Sequence, residues 1–126
     1  MAAVLNDRVL DFGINELTSN ANRVDLCSQA PTTYTEATST YTMGNKTSIT
    51  FGNPADATSG RKVVLTAITG GSLTSTGNVT HYAVTDTVNS RLLVVQAVAS
   101  SPVAVTSGDT WAFTGDVEVN IPDPTA

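Results

Sequence analysis

The chain has 126 residues, eleven Asp and Glu against six Lys and Arg, a net charge of -5 and one cysteine. This length forms one domain, able to bury roughly two thirds of the surface its unfolded form exposes without a disulfide or a metal. The scattered basic residues argue against direct nucleic-acid binding. No apolar run approaches the ~20 residues that cross a bilayer and no secretory signal is recognisable, so folding in a cytoplasm is expected.

In chain order, the first element is a helix predicted over 6–20. Val9, Leu10, Phe12, Ile14 and Leu17 fit one helical face, Asn6 serves as N-cap and Asp7 lies in the first turn. Gly13 weakens this reading, and Leu10, Phe12 and Ile14 also alternate as a strand would. A first strand follows over 23–28, where Val24 and Leu26 alternate with charged neighbours.

Residues 29–60 form the least regular region: a polar run over 31–42, a strand expected over 47–51 and turn-rich sequence over 52–60. Polar segments of this length in a compact domain are usually functional or docked onto something. Tyr34, Tyr41 and Met43 are therefore candidate contact residues; the alternative is that they pin the loop to their own core.

From Arg61 onward, strands are predicted over 62–68, 72–76, 79–85, 91–98, 103–106 and 110–121, with Gly, Asn, Asp, Ser or Pro at every break. Short links between consecutive strands imply antiparallel pairing. Leu92, Leu93, Val94 and Val95 form an unbroken apolar run that fits a strand covered on both faces. In the last strand Trp111, Phe113, Val117, Val119 and Ile121 share one parity, and Gly115, on that same parity, predicts a bulge or bend. Pro122 and Pro124 cannot continue a ladder, so the tail is expected to leave as an arm.

The predicted architecture is mainly β: an antiparallel β-sandwich, immunoglobulin-like or jelly-roll-like, with a short N-terminal helix and extended terminal arms. It divides into an arm and helix over 1–22, a sandwich over 23–121 with a polar loop region at about 29–60, and a tail over 122–126. Threonine supplies about one residue in six, and charged residues, at 13%, are about half as common as usual. Such a surface suits an exposed sheet and also contact with other protein, since few charges need desolvating.

Little in the sequence suggests catalysis. His81 is the only histidine and has no Gly-x-Ser-x-Gly elbow to serve, so a structural ring is expected. Asp116 and Glu118 share a strand face, but no Asp-rich loop accompanies them to hold calcium. Cys27 reads as a small apolar strand residue, with a reactive or intermolecular thiol as the alternative. Gly70 and Gly71 do not make a phosphate loop, and the glycosylation-type triplets at Asn45 and Asn78 are assigned no role. No catalytic residue, cofactor or metal ligand is predicted.

One resemblance spans most of the chain. Leu5-Asn6-Asp7-Arg8-Val9-Leu10-Asp11, Asn22 to Ser28, Thr80 to Asp86, Arg91-Leu92-Leu93 and Ser107 to Phe113 resemble a family of small proteins from tailed bacteriophages and prophages. Its members are regarded as uncharacterised or virion structural proteins. The resemblance implies a non-enzymatic virion component, made in the bacterial host cytoplasm. A small, acidic sandwich without a coiled coil or a repeat-built shaft suits capping a surface, which points to a capsid decoration or cement protein. Its expected partners are the major capsid protein and neighbouring copies of itself, with a trimer about a local threefold axis compatible with such a lattice. Val4, Leu5, Tyr34, Tyr41, Met43, Ile121 and Pro122 are the expected partner-binding residues. The alternatives are a tail, neck or head-fibre protein, and a carbohydrate-binding module with Tyr34, Tyr41 and Tyr82 as platforms.

Overall fold

The computed structural model describes residues 7–98 and 101–123, with side chains from residue 11 onward in that span. The described part is mainly β, with antiparallel sheets and a short N-terminal helix. The helix α1 is Asp7–Asn20 and the first strand β1 is Arg23–Cys27. Strands β2 (Thr42–Thr47), β3 (Ala55–Asp56), β4 (Arg61–Leu65), β5 (Gly71–Leu73) and β6 (Gly77–Val79) follow. Strands β7 (His81–Asp86), β8 (Arg91–Ala97), β9 (Val103–Val105), β10 (Thr110–Trp111) and β11 (Val117–Ile121) complete the described part. The strands form a six-stranded sheet in the order β10-β5-β2-β1-β7-β8, a three-stranded sheet β11-β4-β3 and the pair β6-β9.

The C-terminal half is built around one long ribbon. Arg61 pairs with Ile121, Leu65 with Val117, Gly71 with Trp111, Gly77 with Val105 and Val79 with Val103. Every pairing keeps the same offset, so 61–79 and 103–121 run antiparallel in a single register through all three sheets. The ribbon passes from the three-stranded to the six-stranded sheet at a corner made of 66–70 and 112–116. There the Phe113 N–H donates to the Ile68 carbonyl at 2.9 Å and the Ala67 N–H to Asp116 Oδ1 at 2.7 Å. Strands that switch sheets through a bend form such corners. Gly115 lies in this one, so the predicted strand over 110–121 is two strands joined by a bend. The hairpin β7-β8 closes the ribbon and pairs on the β1 side of the β1-β2 pair, while β5 and β10 lie on its β2 side in the six-stranded sheet.

Alternation explains the burial. Val24 and Leu26 of β1 and Tyr82 and Val84 of β7 face the main core, with Phe51, Val63, Leu65, Trp111 and Val117. Ile14 and Leu17 of α1 join them, which resolves the helix-or-strand ambiguity in favour of the helix. Gly13 faces Ile121 at the end of β11, so the residue that weakens the helix locally lies where the last strand comes against it. Arg61 fastens α1 to the ribbon through Asp11, with Nε to Oδ1 at 2.7 Å, and also binds Asp56.

The opposite face of β1 and β7 carries Cys27 and Ala83, covered by Ala37 from a π-helical turn, Glu36–Thr40, with Tyr41, Leu92 and Val95 beside them. The run 92–95 is thus half-buried on both faces, as expected of a doubly covered strand. A bulge between Val84 and Thr85 lets Leu93 and Val94 both pack on the main core while Leu92 and Val95 pack on the other.

Three expectations change. The strand expected over 47–51 lies instead at Thr42–Thr47, because the chain turns at Ser48, where φ is 58°. Ile49 and Phe51 are buried from a loop that crosses between sheets: the Ile49 N–H bonds Asn22 O and the Gly52 N–H bonds Val64 O. The polar run over 31–42 contains the π-helical turn, of which only Ala37 is buried. The tail does not leave at Pro122, since the Asp123 N–H donates to Ser59 Oγ at 3.1 Å. Asn6, proposed as the N-cap, lies outside the described residues.

Candidate functional site

An apolar groove of about 600 Å³ lies between the inner face of the six-stranded sheet, the β6-β9 pair and the ribbon corner. The corner supplies Trp111 and Phe113, and β7 supplies Tyr82. Their rings pack at a tilt, Tyr82 to Phe113 at 5.3 Å and 58°, and Trp111 to Phe113 at 5.2 Å and 54°. Such tilted pairs are favoured by the ring quadrupoles. Val98, Val103 and Val105 line the opposite wall.

Two of the three aromatics, Trp111 and Tyr82, are fixed by hydrogen bonds. Trp111 Nε1–H donates to the Ser72 carbonyl at 3.1 Å, and the indole lies against Gly71, where a Cβ would collide with the ring. The Tyr82 hydroxyl donates to Gln96 Oε1 at 2.9 Å across the β7-β8 register, and burial raises its pKa. Polar groups occur at the rim: Gln96, Asp116 and Glu118. Asp116 Oδ1 is engaged by the Ala67 N–H, and Glu118 Oε2 lies 3.4 Å from Lys62 Nζ. The two carboxylates therefore serve different partners on the ribbon. Among the described residues no group of three His, Cys, Asp or Glu could hold a metal ion.

A second polar feature sits on the opposite face of the sheet. Asp25 is fully buried and takes Arg23 Nε at 2.7 Å, Arg23 Nη2 at 2.8 Å and Thr42 Oγ1 at 2.6 Å. The bond to Asp25 raises the Arg23 pKa further. Cys27, on the same face, is fully buried, and desolvation reinforced by the Asp25 charge pushes its thiol up to about 12. A neutral thiol is the inert form, which fits the small apolar reading of this residue. His81, half-buried, has Nδ1 2.8 Å from Thr80 Oγ1. That hydroxyl donates to Ser28 O at 3.0 Å, so it accepts from Nδ1–H and the imidazole has a structural partner.

The expected contact residues do not converge. Val4 and Leu5 lie outside the described residues. Met43 is only 5% exposed and belongs to the main core, with its methyl group beside Gly77. It packs inward at the bulge where the register shifts from Leu26–Gly44 to Cys27–Thr42 and leaves Met43 between the two pairs, which corrects its reading as a surface contact. Tyr34 and Tyr41 are half-buried around the π-helical turn, and repulsion from Glu36 raises the Tyr41 pKa. Ile121 and Pro122 remain exposed at the end of β11. The groove escaped the sequence reading because its walls come from strands far apart in the chain; the aromatic parity of Trp111 and Phe113 was its one local signal.

No protein-family model, curated protein or solved structure matches the chain.

Proposed function

We propose that this chain is a non-enzymatic structural protein of a tailed-bacteriophage particle, a capsid decoration or cement protein that covers the seam between major capsid subunits. The observation that carries the reading is the chemistry of the groove. Its floor is aromatic and aliphatic, its carboxylates stand at the rim, and Trp111, Tyr82 and Asp116 are already hydrogen-bonded within the fold. A rigid apolar recess with a polar rim is how a protein surface receives the side chains of another protein. The low charge and threonine-rich composition support the same reading, because they lower the desolvation cost of broad contact. Binding the assembled shell better than free subunits stabilises the shell by linkage.

The test is a reconstruction of the phage particle with quantification of this chain in it. Copies on the order of hundreds, over the shell, support the decoration role. A handful at the tail axis favours the tail or neck alternative, and absence from particles removes the virion reading. The carbohydrate reading is less well supported, since Tyr82 lies in the groove while Tyr34 and Tyr41 flank the π-helical turn on the far side of the sheet.

A further inference from the structure

We infer that β8 is a pairing edge for a second copy of this chain, and that Arg91 of each copy docks at the groove mouth of the other. This deepens the reading of the groove as a protein-contact site by naming the occupant of its mouth.

Edge strands are normally shortened, charged or broken, because their free N–H and C=O groups recruit other strands. The other sheet margins follow that rule. β10 and β3 have two residues each, and β11 carries Glu118 and is followed directly by Pro122. β8 departs from it. It is the seven-residue terminal strand of the six-stranded sheet, reads Arg-Leu-Leu-Val-Val-Gln-Ala and has no charge after Arg91. Among the described residues no strand pairs with its outer side.

Charge and register select a second copy as the partner. Arg91, 58% exposed and 3.5 Å from Glu16, stands at one end of β8. Gln96 and Ala97 at the other end line the groove with Asp116 and Glu118. Positive and negative groups are thus separated by the length of one strand, and an antiparallel copy superposes them twice. With the two-fold axis at Val95, Val94 of one copy lies opposite Gln96 of the other, both on the core-facing side. The bulge next to Leu93 then sets Leu92 opposite Ala97 and Arg91 opposite Val98, so facing residues share a face throughout. Val98 itself lines the groove, and this places the incoming guanidinium beside the rim carboxylates. The result is an isologous contact that extends the sheet through both copies and leaves no β8 edge open.

Sedimentation of the purified full chain tests this apart from any particle. The expected result is a dimer of twice 13.0 kDa. Arg91→Glu should weaken it by roughly tenfold, and adding Glu118→Lys should restore it. Amide exchange on the unaltered protein should show β8 becoming protected as concentration rises, with β11 unchanged. A monomer at about 100 μM, a trimer, or a dimer indifferent to Arg91→Glu with β8 exchange independent of concentration would each overturn the inference. The virion reading stands or falls separately, on whether particles contain the chain.

Discussion

Arg23 and Asp25, two residues apart on β1, meet side by side, Nε to Oδ1 at 2.7 Å and Nη2 to Oδ2 at 2.8 Å, over a sheet face sealed by the π-helical turn. Arg23 also reaches the Thr38 carbonyl of that turn at 3.4 Å. The pair therefore ties β1 to the segment that covers it. Removing one partner of a buried ion pair leaves an uncompensated charge, and a bidentate fork is not reproduced by lysine.

Asp25→Ala should destabilise the fold by about 3–5 kcal/mol, read from the urea midpoint of the full chain. A loss below about 1 kcal/mol would show that the network is dispensable.

Cys27 predicts a stability loss at high pH. Its thiol ionises near 9.0 when unfolded and at about 12 when folded, so the native state favours the neutral form. This contribution is fully present below 9.0 and is lost as the pH rises from there toward 12. Cys27→Ala should flatten the decline in thermal midpoint across that window. At pH 8 the native thiol should resist an alkylating reagent that modifies the urea-unfolded chain at once; equal rates would contradict the assigned burial.

Gly71 and Trp111 supply a fluorescence experiment. A Cβ at position 71 would overlap the indole, and backbone holds both neighbours in place. Gly71→Ala should cost about 1–3 kcal/mol and shift emission from the single tryptophan to longer wavelength as the ring is forced toward the groove. Unchanged emission and stability would mean that the ribbon absorbs the extra methyl.

Asp86 governs the tip of the β7-β8 hairpin. Its carboxylate accepts Asn89 Nδ2 at 2.8 Å and the N–H groups of Val88 and Asn89 at 3.0 and 3.2 Å, and these bonds, the Asn89 side chain foremost, hold its pKa below 3.8. A lowered pKa stabilises above the unfolded value and is lost as the pH falls through the folded one. Asp86→Ala should therefore lower the thermal midpoint at neutral pH, with the gap to the parent closing below pH 3.8. A gap that persists into acid would locate the effect in the turn backbone.

What the sequence made readable was local. The parity of Val24 and Leu26, and of Trp111 and Val117, forecast which face each strand buries, because that choice is made by neighbours two residues apart. Gly115 marked the bend for the same reason. Met43 and Ile49 were misread because their fate depends on where the chain turns, and Ser48 adopts a left-handed φ that serine rarely signals in advance. Asp25 is one of the charged neighbours of Val24 and Leu26, and its full burial beneath the π-helical turn, which approaches from outside the sheet, has no local signal in the sequence. The groove likewise combines β7 with the ribbon corner, a pairing no local pattern encodes.

The shared offset of 61–79 and 103–121 constrains how genes for this fold can change length. One codon lost from either arm would put every later pair out of step, turning Val79 outward and the Asn78 amide or the Thr80 hydroxyl inward. Viable insertions and deletions should therefore fall at the hairpin tip, in the link between β8 and β9, or as matched changes in both arms.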